Sequence, residues 1–170
     1  MIFVKNCPTK IKEIIKNFYN AGKVISSGRH GRYIRISNYL GVKVYWDHNE
    51  NPAKQAKFES SNLQKLSNKK INGHYICPRP YALDLSTPNE PLIFMENIEI
   101  KKQKSILKKR VALEKLLCKI WDKFNIVLDD HRIYDKESAK KWGSNSNNVL
   151  LDLNGNLKII DFHPEYTKVK

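Results

Sequence analysis

The stretch that decides the reading is NVLLDLNGNLKIID, residues 148–161. Two apolar runs flank LNGN, whose Asn154-Gly155 step favours the tight, left-handed turn of a β-hairpin. Asn148 stands just before the first run and Asp161 ends the second, so hairpin closure carries an amide oxygen and a carboxylate to the same mouth. Hard oxygen donors of this kind suit Mg2+, which prefers a few protein ligands completed by phosphate oxygens. The same residues also suit an ordinary hairpin with a capping Asn and an edge Asp. The choice between the two depends on what precedes the hairpin.

Upstream, TKIKEIIKNFYN places Ile11, Ile14, Ile15 and Phe18 at helical spacing, with Thr9 available to cap the first turn. The pattern then changes to the β-like runs VISSGRHGRYIRIS and YLGVKVYW, separated by a turn at Ser37 and Asn38. A second helix is predicted from Pro52 to Leu66, followed by HYICPRPYAL and PLIFMENIEI as two further strands. A third helix, about Ser105 to Phe124, carries Leu113, Leu117, Ile120 and Phe124 on one stripe. A polar stretch, 129–147, leads into the terminal hairpin. Runs of strands and helices in this order predict an α+β class rather than alternating βαβ units.

Hydrophobic residues make up 41% of the 170, enough for one substantial core or two small lobes. No apolar run approaches the roughly 20 residues that span a bilayer, and MIFVKNCPTK lacks the long apolar region of a secretory signal. Cys7, Cys77 and Cys118 are odd in number, widely spaced and without a CxxC pair, which suits reduced thiols in a cytoplasmic protein and argues against a zinc site. Against 17 acidic residues stand 31 Lys and Arg, a formal net charge of +14. Such a surface attracts nucleic acid, an anionic membrane, acidic proteins or nucleotides without choosing among them. KKQKSILKKR, 101–110, gathers six of the cations and reads as a solvated face or a docking site for a polyanionic or acidic partner.

Two glycines, Gly28 and Gly31, sit in SSGRHGRY, with Ser26 ahead of them and Tyr33 two residues beyond. Glycine lets the backbone lie against phosphate oxygens, so its N–H groups can donate to them. A twisted hairpin would use the same pair of glycines. Lys43, between Val42 and Val44, points either to solvent by strand alternation or into a cleft where an anion holds it. Glu59 shares a helical stripe with Ala56, Leu63 and Leu66, so it faces the core side and needs a cation, which Lys43 on the neighbouring strand can supply.

Taken in order, SSGRHGRY, the strand lysine of GVKVYW, the helix glutamate of KFESSNLQKL, the run LIFMENIEI, then NIVLDD, NNVLLD and KIIDFH resemble a reduced protein-kinase-like domain over residues 22–163. The glycine loop is also similar to that of YrbL-type kinase-like proteins. The resemblance implies a five-stranded antiparallel N-lobe with one core helix over residues 1–98, and a reduced, mostly helical C-lobe over 99–170 that ends in the hairpin. It further implies ATP and Mg2+ as ligands, and transfer of the γ-phosphate to a protein Ser/Thr hydroxyl. By position, Ser26, Gly28 and Gly31 would cover the phosphates, and Lys43 would contact them while paired to Glu59. The backbone from Glu96 to Ile98 would meet the adenine edge, with Phe94 or Met95 at the gatekeeper position. Asn148 and Asp161 would hold the metal ions, and Asp130, with Asp129 beside it, would be the catalytic base.

The chain departs from the family at several points. The base precedes the metal-binding Asn by about five residues in kinases, whereas Asp130 precedes Asn148 by 18, so an insertion of about 13 residues is implied. Leu128 and Asp129 replace the usual His and Arg, and His163-Pro164 follows Asp161-Phe162 where a glycine is expected. Within residues 164–170 the resemblance finds no counterpart to the family's activation segment or remaining large-lobe helices. Minimal kinase-like proteins of bacterial pathogens share that economy, and the analogy implies an activating partner protein, or delivery to a host cytosol. Two other readings stay open: a pseudokinase that regulates a partner, and a basic nucleic-acid-binding protein. His30 could touch the phosphates, while His48, His74 and His131 show no metal-ligand spacing.

Overall fold

The computed structural model describes residues 1–18, 23–28, 31–46, 51–71, 73–99, 149–152, 154 and 157–159. Contacts divide the chain into two units, one of Met1–Ser67 with Pro78–Glu99 and the other of Asn68–Cys77 with Ile100–Lys170. The predicted helix at 105–124, with its basic cluster at 101–110, lies outside the described residues.

The first unit is an α+β layer structure. Its sheet contains β1 (Ile2–Phe3), β2 (Lys23–Gly28), β3 (Gly31–Arg35), β4 (Leu40–Tyr45), β7 (Pro80–Asp84) and β8 (Leu92–Glu96), in the spatial order β1-β7-β8-β4-β3-β2. Every pairing is antiparallel. Five of these strands are the predicted ones, and β1 adds a sixth at the edge, pairing Ile2 with Leu83 and Phe3 with Ala82. A two-residue strand has no period to read, so the sequence pattern misses it.

Both faces of the central strand are covered. Leu40, Val42 and Val44 of β4 point to one side, where α1 (Thr9–Lys16) adds Ile11 and Ile15 and β8 adds Phe94, all buried in one apolar cluster. Phe18 meets the Phe94 ring edge-on at 5.2 Å between centroids. The alternate residues Lys43 and Tyr45 point the other way, toward α2 (Pro52–Leu66). There α2 buries Ala56, Glu59, Leu63 and Leu66, the predicted stripe, together with Ser60 and Asn62. Pro52 opens this helix with its φ already set, and Asn51 caps it by accepting from the Lys54 N–H at 3.0 Å.

Two expectations are corrected. Thr9 does not cap α1: the cap position is Pro8, extended at φ −60° and ψ 142°, and Thr9 is already helical. The run 74–83 is not one strand. Its front part, β6 (His74–Tyr75), pairs with β5 (Lys70–Ile71) in a separate two-stranded hairpin, and β7 begins only at Pro80. Pro78 and Pro80 account for the break, since neither can donate to a ladder.

In the second unit, β9 (Val149–Leu151) pairs with β10 (Leu157–Ile159), with Leu150 opposite Lys158, so the predicted terminal hairpin forms. Asp152 accepts from the Asn154 N–H at 3.0 Å and shapes the turn. Lys158 donates to the Tyr75 carbonyl at 2.8 Å, tying this hairpin to the β5–β6 hairpin. Among the described residues no helix is long and apolar enough to cross a membrane.

Candidate functional site

Lys43 is the only interruption in an otherwise buried β4, and its side chain keeps 15% of its surface. On α2, Glu59 is 1% exposed, and its Oε2 accepts from Lys43 Nζ at 2.8 Å. The same oxygen accepts from the Tyr45 hydroxyl, and Lys43 Nζ lies 4.8 Å from the centre of the Tyr45 ring. A carboxylate this deeply buried is tolerated because two donors converge on it. The ammonium is thereby fixed at the α2 side of the sheet, partly open to solvent, where it can meet an anion.

Beside it, β2 and β3 form the glycine hairpin. Gly28 pairs with Gly31 at the tip, Ser26 pairs with Tyr33, and the ladder is irregular between Val24 and Ser26. Gly31 and Tyr33 lie opposite Tyr45 and Lys43 of β4, so the hairpin is registered directly on the lysine strand. His30 lies outside the described residues, as does His48.

On the far side of β4, β8 carries Met95, buried at 2% exposure, opposite Gly41. Glu96 is already engaged with the backbone of Arg79: its N–H donates to the Arg79 carbonyl at 2.8 Å, and its carboxylate accepts from the Arg79 N–H at 3.2 Å. Asn97 donates from its backbone to the Tyr39 carbonyl and from its side chain to the Asn38 carbonyl, each at 3.2 Å. Its side-chain oxygen accepts from the Tyr33 hydroxyl at 3.2 Å. Burial raises the Tyr33 pKa, against a downward pull from the Ile98 backbone N–H.

The structure thus brings together Lys43 and Glu59, and ranges Ser26, Gly28, Gly31, Met95 and Glu96 along the strands on either side, with Ile98 two residues beyond the end of β8. Asp130, Asp129, Asn148 and Asp161 lie outside the described residues. Two contributors were missed by sequence reasoning. Tyr45 shares a face with Lys43 by simple alternation, which was the available signal. Tyr33 was visible only as a neighbour of Gly31, and nothing in its spacing announced its reach to Asn97.

No protein-family model matches the chain, and no curated protein matches it in sequence. Among solved structures it is similar to "High resolution (2.2 A) crystal structure of WbdD", with 18% identity, a TM-score of 0.48 and 79% of this chain covered. A second is the "bifunctional kinase-methyltransferase WbdD", at 18% identity, a TM-score of 0.47 and 78% of this chain covered. The chain spans about 30% of the length of these two proteins.

Proposed function

We propose that the chain is an ATP-binding, kinase-like phosphotransferase that moves the γ-phosphate to a protein Ser/Thr hydroxyl. The observation that supports this best is the Lys43–Glu59 pair, 2.8 Å long, joining the strand next to the glycine hairpin to the buried face of α2. A lysine held this way is a preorganised point charge for α- and β-phosphate oxygens. Gly28 and Gly31, with Ser26, cover the phosphates in this reading, and the edge from Met95 through Glu96 to Ile98 takes the base. Mg2+ is assigned to Asn148 and Asp161, whose oxygen donors suit it. In the transfer, the substrate oxygen bonds to the γ-phosphorus as its bond to the bridging oxygen of ADP breaks, and Asp130 accepts the hydroxyl proton.

Thermal unfolding with and without MgATP tests the reading. Ligand at a hundred times Kd stabilises the native state by about 2.7 kcal/mol, which for a chain of this size raises Tm by about 5–10 °C. Lys43→Ala is expected to remove most of that rise, and a wild-type Tm indifferent to MgATP refutes nucleotide binding. Transfer of labelled phosphate from ATP, lost in Asp130→Ala and Asp161→Ala, then separates an active enzyme from a pseudokinase that regulates a partner. One observation favours the pseudokinase as second reading: the Tyr33 hydroxyl already sits at the edge a base would use, donating to the Asn97 side chain at 3.2 Å. Salt-sensitive binding of DNA or RNA with no response to ATP would instead support a nucleic-acid-binding protein, in keeping with the +14 charge.

A further inference from the structure

Tyr33 and Lys43 are direct partners across β3 and β4, so both side chains rise from the same face of the sheet. From there they diverge. Lys43 leans to Glu59, whereas Tyr33 crosses β4 two residues away, at Gly41. Its ring occupies the space a side chain at 41 would need: a Cβ built on Gly41 would lie 1.9 Å from the Tyr33 hydroxyl oxygen and 2.3 Å from Cζ. The phenol ends at the β8 exit, donating to the Asn97 side chain at 3.2 Å. The α2 side of the sheet thus carries Lys43, paired to Glu59 of the helix, and Tyr33, whose hydroxyl reaches Asn97 just past β8.

We infer that Tyr33 is a specificity-determining gate that occupies the base-binding edge at residues 97–98 and must be displaced before a purine can reach it. The inference rests on the nucleotide reading above and names which part of the ligand the site resists. The anion end at Lys43 stays accessible while Tyr33 is seated, so polyphosphate binding is indifferent to residue 33. The base end is different. A ligand that needs a minor conformer binds with an apparent affinity reduced by that conformer's population. If the displaced form makes up about 10% or less of the molecules, a common range for a minor state, removing the ring tightens base binding by about tenfold or more.

Calorimetric titration of wild type, Tyr33→Ala and Tyr33→Phe with MgATP, adenosine and inorganic tripolyphosphate tests this. Tyr33→Ala is expected to bind MgATP and adenosine at least about tenfold tighter, and tripolyphosphate within about twofold of wild type. Tyr33→Phe keeps the ring and loses the hydroxyl's bond to Asn97, so its gain is smaller, about threefold, and it decides the matter if the alanine variant does not fold. MgATP binding that is equal or weaker in Tyr33→Ala, or in Tyr33→Phe where only that variant folds, overturns the gate and leaves nucleotide binding standing. Tripolyphosphate tightening in parallel with adenosine also overturns it, since the effect is then not on the base. Failure of all three proteins to bind MgATP removes the nucleotide reading and the gate together.

Discussion

Gly41→Ala is the sharpest probe of the Tyr33 seat because it needs no ligand. The three atoms nearest a new methyl at 41 all belong to Tyr33, at 1.9, 2.3 and 2.9 Å, distances no real Cβ tolerates. Either the ring leaves its place or the β3–β4 pair spreads. Overpacking of a fitted site costs about 1–3 kcal/mol, and losing the hydroxyl's bond to Asn97 adds about 1 kcal/mol. The substitution is therefore expected to destabilise by about 2–4 kcal/mol. Gly41 does not have the positive φ that would strain alanine, so without the ring the sign reverses. In a Tyr33→Ala background, Gly41→Ala should be neutral or stabilising by about 0.4–1 kcal/mol, through the loss of unfolded-state freedom. Urea unfolding of wild type, both single variants and the double variant closes the cycle. A coupling of about 2 kcal/mol or more is expected, and equal costs of Gly41→Ala in both backgrounds would refute the placement of the ring.

Glu59→Ala removes the oxygen that Lys43 and Tyr45 both use; breaking a buried pair at one end costs about 3–5 kcal/mol, with the lower end expected because Lys43 is 15% exposed. Urea midpoints check it, and a cost below about 1 kcal/mol, the range of surface pairs, would mean the pair is not structural. Acid stability gives a further test. At Asp84 burial pushes the pKa up, but the Ser86 N–H at 3.0 Å, the Ser86 hydroxyl and the terminal amine at 3.4 Å together pull it below the usual aspartate value. A depressed folded pKa supplies stability above the unfolded value of about 3.9 and loses it as pH falls through the folded one. Asp84→Asn should therefore flatten the fall of unfolding free energy below about pH 4; superimposable acid limbs for the two proteins would refute it.

How much was legible follows from the kind of signal each element sends. Fifteen residues of α2 carry a full stripe, a proline at the first helical position and an Asn cap, so both its bounds and the inward placement of Glu59 could be read in advance. Alternation in LGVKVY placed Lys43 opposite the apolar positions 42 and 44 in the same way. The 74–83 run misled because its apolar residues look continuous while Pro78 and Pro80 interrupt the ladder. Tyr33 stayed hidden for a different reason. Its partner Asn97 is 64 residues away, and the space its ring fills is defined by an absent side chain at Gly41. A missing Cβ leaves no periodic trace.

Tyr33 and Lys43 also constrain one another through register. Tyr33 opposite Lys43 and Ile34 opposite Val42 put polar and apolar pairs on opposite faces of the same ladder. A slip of one residue in β4 would send Lys43 into the cluster of Ile11, Ile15 and Phe94 and turn Val42 and Val44 toward Glu59. The buried carboxylate would then face only apolar groups, at a cost of several kcal/mol. Pairing between strand and helix charges therefore stabilises the register as well as the ammonium's position. The same register delivers Tyr33 to Gly41, so the cation that would hold a phosphate and the ring that would resist a base are set by a single alignment of β3 on β4.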